Sequence, residues 1–373
     1  MGRVSRAILM GLALALAGSA QAGQAAAQFF ASRVVDYSPG VGYELFPDPQ
    51  LALGGPRGGG WPVGSLDVVS LGVQGELVLG FVPGAAITDG QGPDLIVSEN
   101  AMALSAGSPC RFAELIRVGV STNGADYAFF PVWCGIPAPV GPYAFVDSSL
   151  LDGFAGVTPV LADVGAPGEG GNGVDPFDPA VAGGDAFDLA DLAGDPLVAA
   201  GLVDLSRIYF VKLKDVLGDG SQPDRFGNPI YDPTGNMDPP YDDETSADVD
   251  AVTVIHGLAA PPAGDANLDQ VVDGLDYNTW SLHYRMSAMT WTEGDFNGDT
   301  IVDGLDYNIW SGNYAHGGQG SAVPEPAALV LSLAGAVLLG RGRRRPWQRT
   351  GPPAGQGAGP EGYPRPRPGL PMA

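Results

Sequence analysis

The stretch GDANLDQVVDGLDYNTWSLHY at 264–284 returns thirty residues later as GDFNGDTIVDGLDYNIWSGNY at 294–314, with 14 of 21 positions identical. A unit repeated this closely makes the same local structure twice, and the two copies bury their apolar faces against each other. Numbered as a twelve-residue loop, the first copy places Asp265, Asn267 and Asp269 at positions 1, 3 and 5, Asp273 at 9 and Asp276 at 12. The second copy fills the same slots with Asp295, Asn297, Asp299, Asp303 and Asp306. Alternate side chains converge on one point only where the backbone coils around it. Four carboxylates in one such coil repel one another unless a cation neutralises them, so the bare loops are expected to be poorly ordered. A pair of solvated acidic turns is the competing reading, and the shared register of the two copies argues against it.

Those slots supply oxygen to a seven-coordinate calcium in an EF-hand loop, with the main-chain carbonyl of position 7 completing the set; here Val271 and Ile301 hold that position. Two calcium ions are expected, one per loop. Val272 and Val302, at position 8, are expected in the core between the loops. Two features depart from an ordinary EF-hand. Position 12 is Asp rather than the longer Glu, and HGLAAPPA before the first loop contains two prolines, which rules out a full entering helix. After each loop a helix is expected, because Tyr277, Trp280 and Tyr284 recur as Tyr307, Trp310 and Tyr314 at spacings of three and four, giving one aromatic face. That face is either the core between the two helices or a partner surface.

Loop then helix, twice, resembles the dockerin type I domain, whose calcium loops carry Asp at position 12 and lack the entering helix. The resemblance covers 264–316. The glycine usual at position 6 is replaced by Gln270 and Thr300, which removes no side-chain ligand. It implies docking to a cohesin-like module on a scaffold or to another surface or matrix component, commonly in assemblies that act on polysaccharide.

Charge narrows the choice of partner. The chain carries a formal −24, and between residues 23 and 340 there are 41 acidic residues against nine basic ones. Such a field repels nucleic-acid phosphates and draws divalent cations, so no nucleic-acid partner is expected. The basic residues gather at the two ends instead. Arg3 and Arg6 precede the apolar run AILMGLALALAG, and Ala20-Gln21-Ala22 offers a cleavage site, which reads as a signal peptide over 1–22; a buried helix is the alternative. Near the other end, VPEP at 323–326 is followed by fourteen uncharged, mainly apolar residues and then by four arginines within 341–345. The apolar run is short for a permanent span, and the arginines set its cytoplasmic side. This order resembles the PEP-CTERM sorting signal (323–345), which implies an exosortase, a membrane-associated segment, and a destination at the cell surface or extracellular matrix of a Gram-negative bacterium. A further 28 residues, rich in Pro and Gly, follow as a tail over 346–373, where family members usually stop.

Between these ends, residues 29–258 show short β-rich runs separated by Gly, Pro and Asp, among them GELVLGFV, DLIVSEN, RIYFVKLKDV and VDAVTVIHG, which predicts a β-sandwich. DAFDLADLA (185–193) reads as a short helix, and 259–263 as a linker. RFAELIRVGVSTNGADYAFFPVW reads as a hairpin turning at Asn123-Gly124 with Cys110 and Cys134 at its open ends. Export favours a disulfide between them; two buried free thiols are the alternative. No nucleophile elbow, HExxH motif or phosphate-binding glycine loop is present. His256 ends a strand and reads as structural. Glu76, Glu99 and Glu114 lie on or beside strands, where a pair of carboxylates would suit a glycosidase. Asp89 with Asp94, or Asp185 with Asp188, offers a further cation site or simply solvated turns. The expected protein is therefore mainly β, a sandwich followed by a small helical calcium module. Its expected role is non-catalytic, in adhesion or assembly; the alternative is a carbohydrate-active protein docked to a cohesin-type partner.

Overall fold

The computed structural model describes residues 24–316 apart from 66, 142, 167 and 234–245. The leader (1–22), sorting segment (323–345) and tail (346–373) read from the sequence lie outside the described residues. Among the described residues no helix is long and apolar enough to cross a membrane.

The chain is mainly β, in several antiparallel sheets. In the first six-stranded sheet the long strand Asp248–Leu258 is central. It pairs with Ala26–Phe30 on one side and Leu95–Glu99 on the other, and Asp185–Phe187 adds to the latter. Two-residue strands, Val69–Ser70 and Ala86–Ile87, pair with the two ends of the long strand. The second six-stranded sheet runs Ala128–Phe129, Ile116–Ser121, Phe210–Asp215, Glu76–Gly80, Arg33–Ser38, with Phe154–Ala155 also on Ile116–Ser121.

Strand alternation places one set of side chains from each sheet in a shared core: Leu95, Val97 and Val254 from the first, Leu77, Leu79, Val118, Val120, Val211 and Leu213 from the second. Burying each such side chain stabilises by about 1.5–3 kcal/mol. The long strand keeps both Val249 and Val252 in this core although they are three residues apart. A bulge explains this. Val249 pairs with Glu99 and Ala251 with Ser98, so Asp250 is the extra residue, and its carboxylate accepts the amide of Arg57. The other face of the first sheet is covered as well, Ile96 packing with Ala162 and Ala182. The other face of the second sheet carries charges among its apolar and glycine positions: Lys212 and Lys214 meet Glu76 at 3.1 and 2.5 Å.

The strands expected from the β-rich runs are present, and the first begins at Ala26, three residues before the expected boundary. DAFDLADLA divides differently from the expected helix. Its first three residues form the edge strand Asp185–Phe187, and a 3-10 turn follows at Leu189–Leu192, capped by the Asp188 side chain. The hairpin around Asn123-Gly124 forms, with Val120 opposite Ala128, and the Asn123 side chain accepts the amides of Ala125 and Asp126. The disulfide does not: Cys110 and Cys134 are both free. Beyond the hairpin its arms enter different small sheets. Cys110–Phe112 pairs with Val146–Asp147 and Met102–Ala103, whereas Trp133–Cys134 pairs with Leu151–Asp152. The Cys134 thiol is buried in a second apolar cluster, 3.9 Å from the Tyr231 carbonyl.

Candidate metal centre

Each repeat folds as a loop followed by a ten-residue helix, Gly274–His283 and Gly304–Asn313. The acidic slots do several jobs at once. Asp273 and Asp303 are helix N-caps, accepting the amides of Leu275 and Leu305 at 2.7 Å. Asp276 and Asp306, three residues on, reach back to the amides of Asp273 and Asp303 at 2.8 Å and close capping boxes. This accounts for Asp rather than Glu at position 12, because the helix starts so near that the shorter side chain spans the gap. The second oxygen of Asp276 accepts from Ala266 and Asn267, and that of Asp306 from Phe296 and Asn297. Position 1 is braced in the same way: Asp265 takes the amides of Asp269 and Gln270, Asp295 those of Gly298, Asp299 and Thr300. Asn267 and Asn297 accept from Asp269 and Asp299.

Asp265, Asp276, Asp295 and Asp306 are thus all buried. Among the described residues no Lys, Arg or His forms an ion pair with a carboxylate of either loop. Burial pushes the carboxyls of Asp265, Asp276 and Asp306 above the usual range and that of Asp295 up to about 7, with neighbouring loop carboxylates adding to it and the loop amides opposing. Buried carboxylates without an ion-paired partner are costly. The remaining donors are also hard oxygens, and the carbonyls of Val271 and Ile301 accept no hydrogen bond among the described residues. An oxygen-only set of this kind fits calcium. The loop carboxylates nevertheless stand apart: no three of their oxygens lie within 4.8 Å of one another, as expected of like charges.

The two units are built reciprocally. Trp280 donates its indole N–H to the Asp303 carbonyl and Trp310 to that of Asp273, both at 2.8 Å. Tyr277 packs on Trp310 and Tyr307 on Trp280, at ring separations of 5.1 and 5.2 Å. The aromatic face therefore forms the joint between the helices, although Tyr277, Tyr284, Tyr307 and Tyr314 all remain exposed along it. Val272 and Val302 are fully buried as expected, but their backbones do not pair with each other. Val302 pairs with Arg285 and Met286 after the first helix, and Val272 with Ala315 and His316 after the second.

Sequence reasoning missed how firmly the repeat is seated on the β region. Tyr209, next to strand Phe210–Asp215, packs into the repeat's core beside Trp291 and Phe296. Arg33, first residue of its strand, donates to the Asn297 carbonyl at 3.3 Å and faces Asp295 and Asp299. The expected linker is pinned too, with Ala259 bonded to Ala25 and the Pro262 carbonyl accepting from Asp265. A lone arginine near the start of a chain gives no sign that it will meet a loop 264 residues away.

The other candidates separate. Among the described residues one trio of carboxylates has ligand oxygens within 4.8 Å of one another, Asp89, Asp94 and Asp188. Asp94 is already engaged, accepting from Gly90, Leu189 and His256 Nδ1 at 2.7–2.8 Å, and Asp188 caps a turn. These contacts tie His256 to a structural carboxylate. Asp185 is spent on the amides of Val157 and Thr158. Glu76 is held by two lysines, whereas Glu99 and Glu114 are buried. No protein-family model, no curated protein and no solved structure matches this chain.

Proposed function

We propose that residues 264–316 form a dockerin-like module that binds two calcium ions, and that it serves a non-catalytic adhesion or assembly protein of the cell surface or extracellular matrix. The β region would be the sandwich that carries it, with export and sorting supplied by the terminal segments read from the sequence. The observation that carries this reading is the double one in the loops: four buried carboxylates, in matching slots of two copies, without an ion-paired partner among the described residues. Asp265, Asn267, Asp269, Asp273, Asp276 and the Val271 carbonyl would hold the first ion. Asp295, Asn297, Asp299, Asp303, Asp306 and the Ile301 carbonyl would hold the second. The ions supply charge, not chemistry: each lets its loop close and so fixes where the following helix begins.

Calorimetric titration of the chelator-treated protein with calcium tests this directly. Two ions are expected, at dissociation constants of about 10⁻⁶ to 10⁻³ M, the range from sensors to extracellular modules. Asp265→Ala and Asp295→Ala should each leave one. A protein that takes up no calcium, or in which both single variants still bind two ions, overturns the assignment.

A further inference from the structure

A cavity of about 400 Å³ lies away from the repeat, in the β region, lined on one side by Phe112, Tyr143 and Phe145 and on another by Glu114 and Asp248. Glu114 sits between strands Cys110–Phe112 and Ile116–Ser121, and only 7% of it is exposed. Among the described residues its carboxylate has no hydrogen-bond or ion-pair partner, although it lines the cavity. Behind it, Glu99 accepts the Asp248 amide through Oε1 at 3.1 Å, while its buried Oε2 has no partner. Burial, and then the neighbouring acids, push both carboxyls well above their usual range.

Among the described residues Glu114 has no countercharge, and the geometry says which kind would fit. Among the described residues no trio that includes Glu99, Glu114 or Asp248 brings its oxygens within 4.8 Å of one another, so these three carboxylates by themselves are too dispersed to enclose one metal ion. Part of the lining is aromatic: Tyr143 stacks on Phe112 at 6.2 Å, and Phe145 packs against Phe112 at 6.3 Å. The volume lies within the range of small-molecule sites. Aromatic faces beside carboxylates attract a cation carried on an apolar body. A neutral sugar would find surface to stack on but would leave Glu114 uncompensated.

We infer that this cavity binds a small organic cation, a primary ammonium on an aromatic or apolar body, with the charge at Glu114 and the body between Phe112, Tyr143 and Phe145. Phenethylammonium is a suitable probe and 2-phenylethanol its neutral counterpart, each titrated calorimetrically into the calcium-loaded full chain. The ammonium should bind at least about tenfold more tightly than the alcohol, the worth of one charge-assisted contact. Glu114→Gln should remove that advantage and leave the alcohol unchanged. Phe145→Ala, at an exposed rim position that does not hold the fold together, should weaken both ligands. Three results overturn the inference: no saturable binding of phenethylammonium at about 1 mM, a concentration that detects even weak affinity; an ammonium preference that survives Glu114→Gln; or displacement of the ammonium by added calcium, which would mark an inorganic site.

Discussion

Position 6 of each loop stands in the left-handed region, with Gln270 at φ 69° and Thr300 at φ 68°. Position 4 does too, with Leu268 at φ 62° and Gly298 at φ 73°. Side chains resist this region by about 1–2 kcal/mol, and glycine returns part of that gain as unfolded-state entropy. Gln270 is exposed, so Gln270→Gly is expected to stabilise the protein by about 0.5–1 kcal/mol in urea unfolding. The same change at Leu268 should instead cost about 2–4 kcal/mol, because its side chain is buried in the repeat's core. Loop two has glycine at that slot, which suits its φ of 73°, and a Cβ there would also stand 3.0 Å from the Arg33 guanidinium. Asp250, the bulged residue of the long strand, gives a pH prediction. Burial, with Asp67 and Asp163 nearby, raises its carboxyl to about 7 despite the Arg57 amide. A raised carboxyl binds its proton more tightly in the folded protein, so its contribution is complete below the unfolded value near 3.8 and is lost as pH rises through about 7. The loss is of order 4 kcal/mol. Asp250→Asn keeps an oxygen for the Arg57 amide and should flatten that part of the stability curve. Equal pH slopes for the two proteins between 4 and 7 would contradict the assignment.

At the scale of elements, the reciprocal joint between the helices rests on close approach. Gly264 and Gly294 have φ of 100° and 101°, and a Cβ on them would stand 2.9 Å from Trp310 Cα and 2.7 Å from Trp280 Cα. Backbone cannot yield as a side-chain tip can. Gly294→Ala should therefore cost at least about 2 kcal/mol and lower the Tm, with near-ultraviolet dichroism of the tryptophans reporting the displaced joint. Much of this element was legible in the sequence. The twelve-slot acidic pattern fixed the loops, the prolines of HGLAAPPA excluded an entering helix, and the Tyr-Trp-Tyr spacing marked the helices. The β runs were legible for the same reason, being β-branched and bounded by Gly and Asp. What could not be read was long-range. Nothing local says that Ala26 will lie opposite Leu258, and two-residue strands such as Ala86–Ile87 are too short to show a period. The cysteines misled because a hairpin predicts its own two strands, not where the chain goes past them. Asp185–Phe187 reads as helix in the sequence because three residues of edge strand carry no alternation that outweighs an adjoining LADLA.

For the whole molecule the question is why a repeat so nearly symmetrical is seated asymmetrically. The described residues all belong to one compact unit, and it is the second loop that meets Arg33 of the β region. The Gly124 turn approaches the same loop, where a Cβ would stand 3.1 Å from the Thr300 methyl. Arg33 is a permanent cation facing Asp295 and Asp299; among the described residues no cation figures among the leading influences on Asp265 and Asp276 of the first loop, which are shifted chiefly by burial with loop carboxylates adding to it. If both loops take calcium as proposed, the second ion enters against a guanidinium and the first does not. The sites should then fill in order, the first more tightly by about tenfold, since roughly 1–2 kcal/mol is the scale of such a repulsion at partly screened range. Single-site proteins measure this: Asp295→Ala reports the first loop and Asp265→Ala the second. Arg33→Gln keeps a donor for the Asn297 carbonyl but removes the charge, so in the Asp265→Ala background it should tighten the second site toward the first. In the Asp295→Ala background it should change nothing. Because Tyr209 and Trp291 share one core, filling either loop should also raise the melting temperature of the β strands, read by far-ultraviolet dichroism. An unchanged gap between the two sites after Arg33→Gln would mean that the β region holds the second loop by shape alone, and that its charge plays no part in how the repeat is loaded.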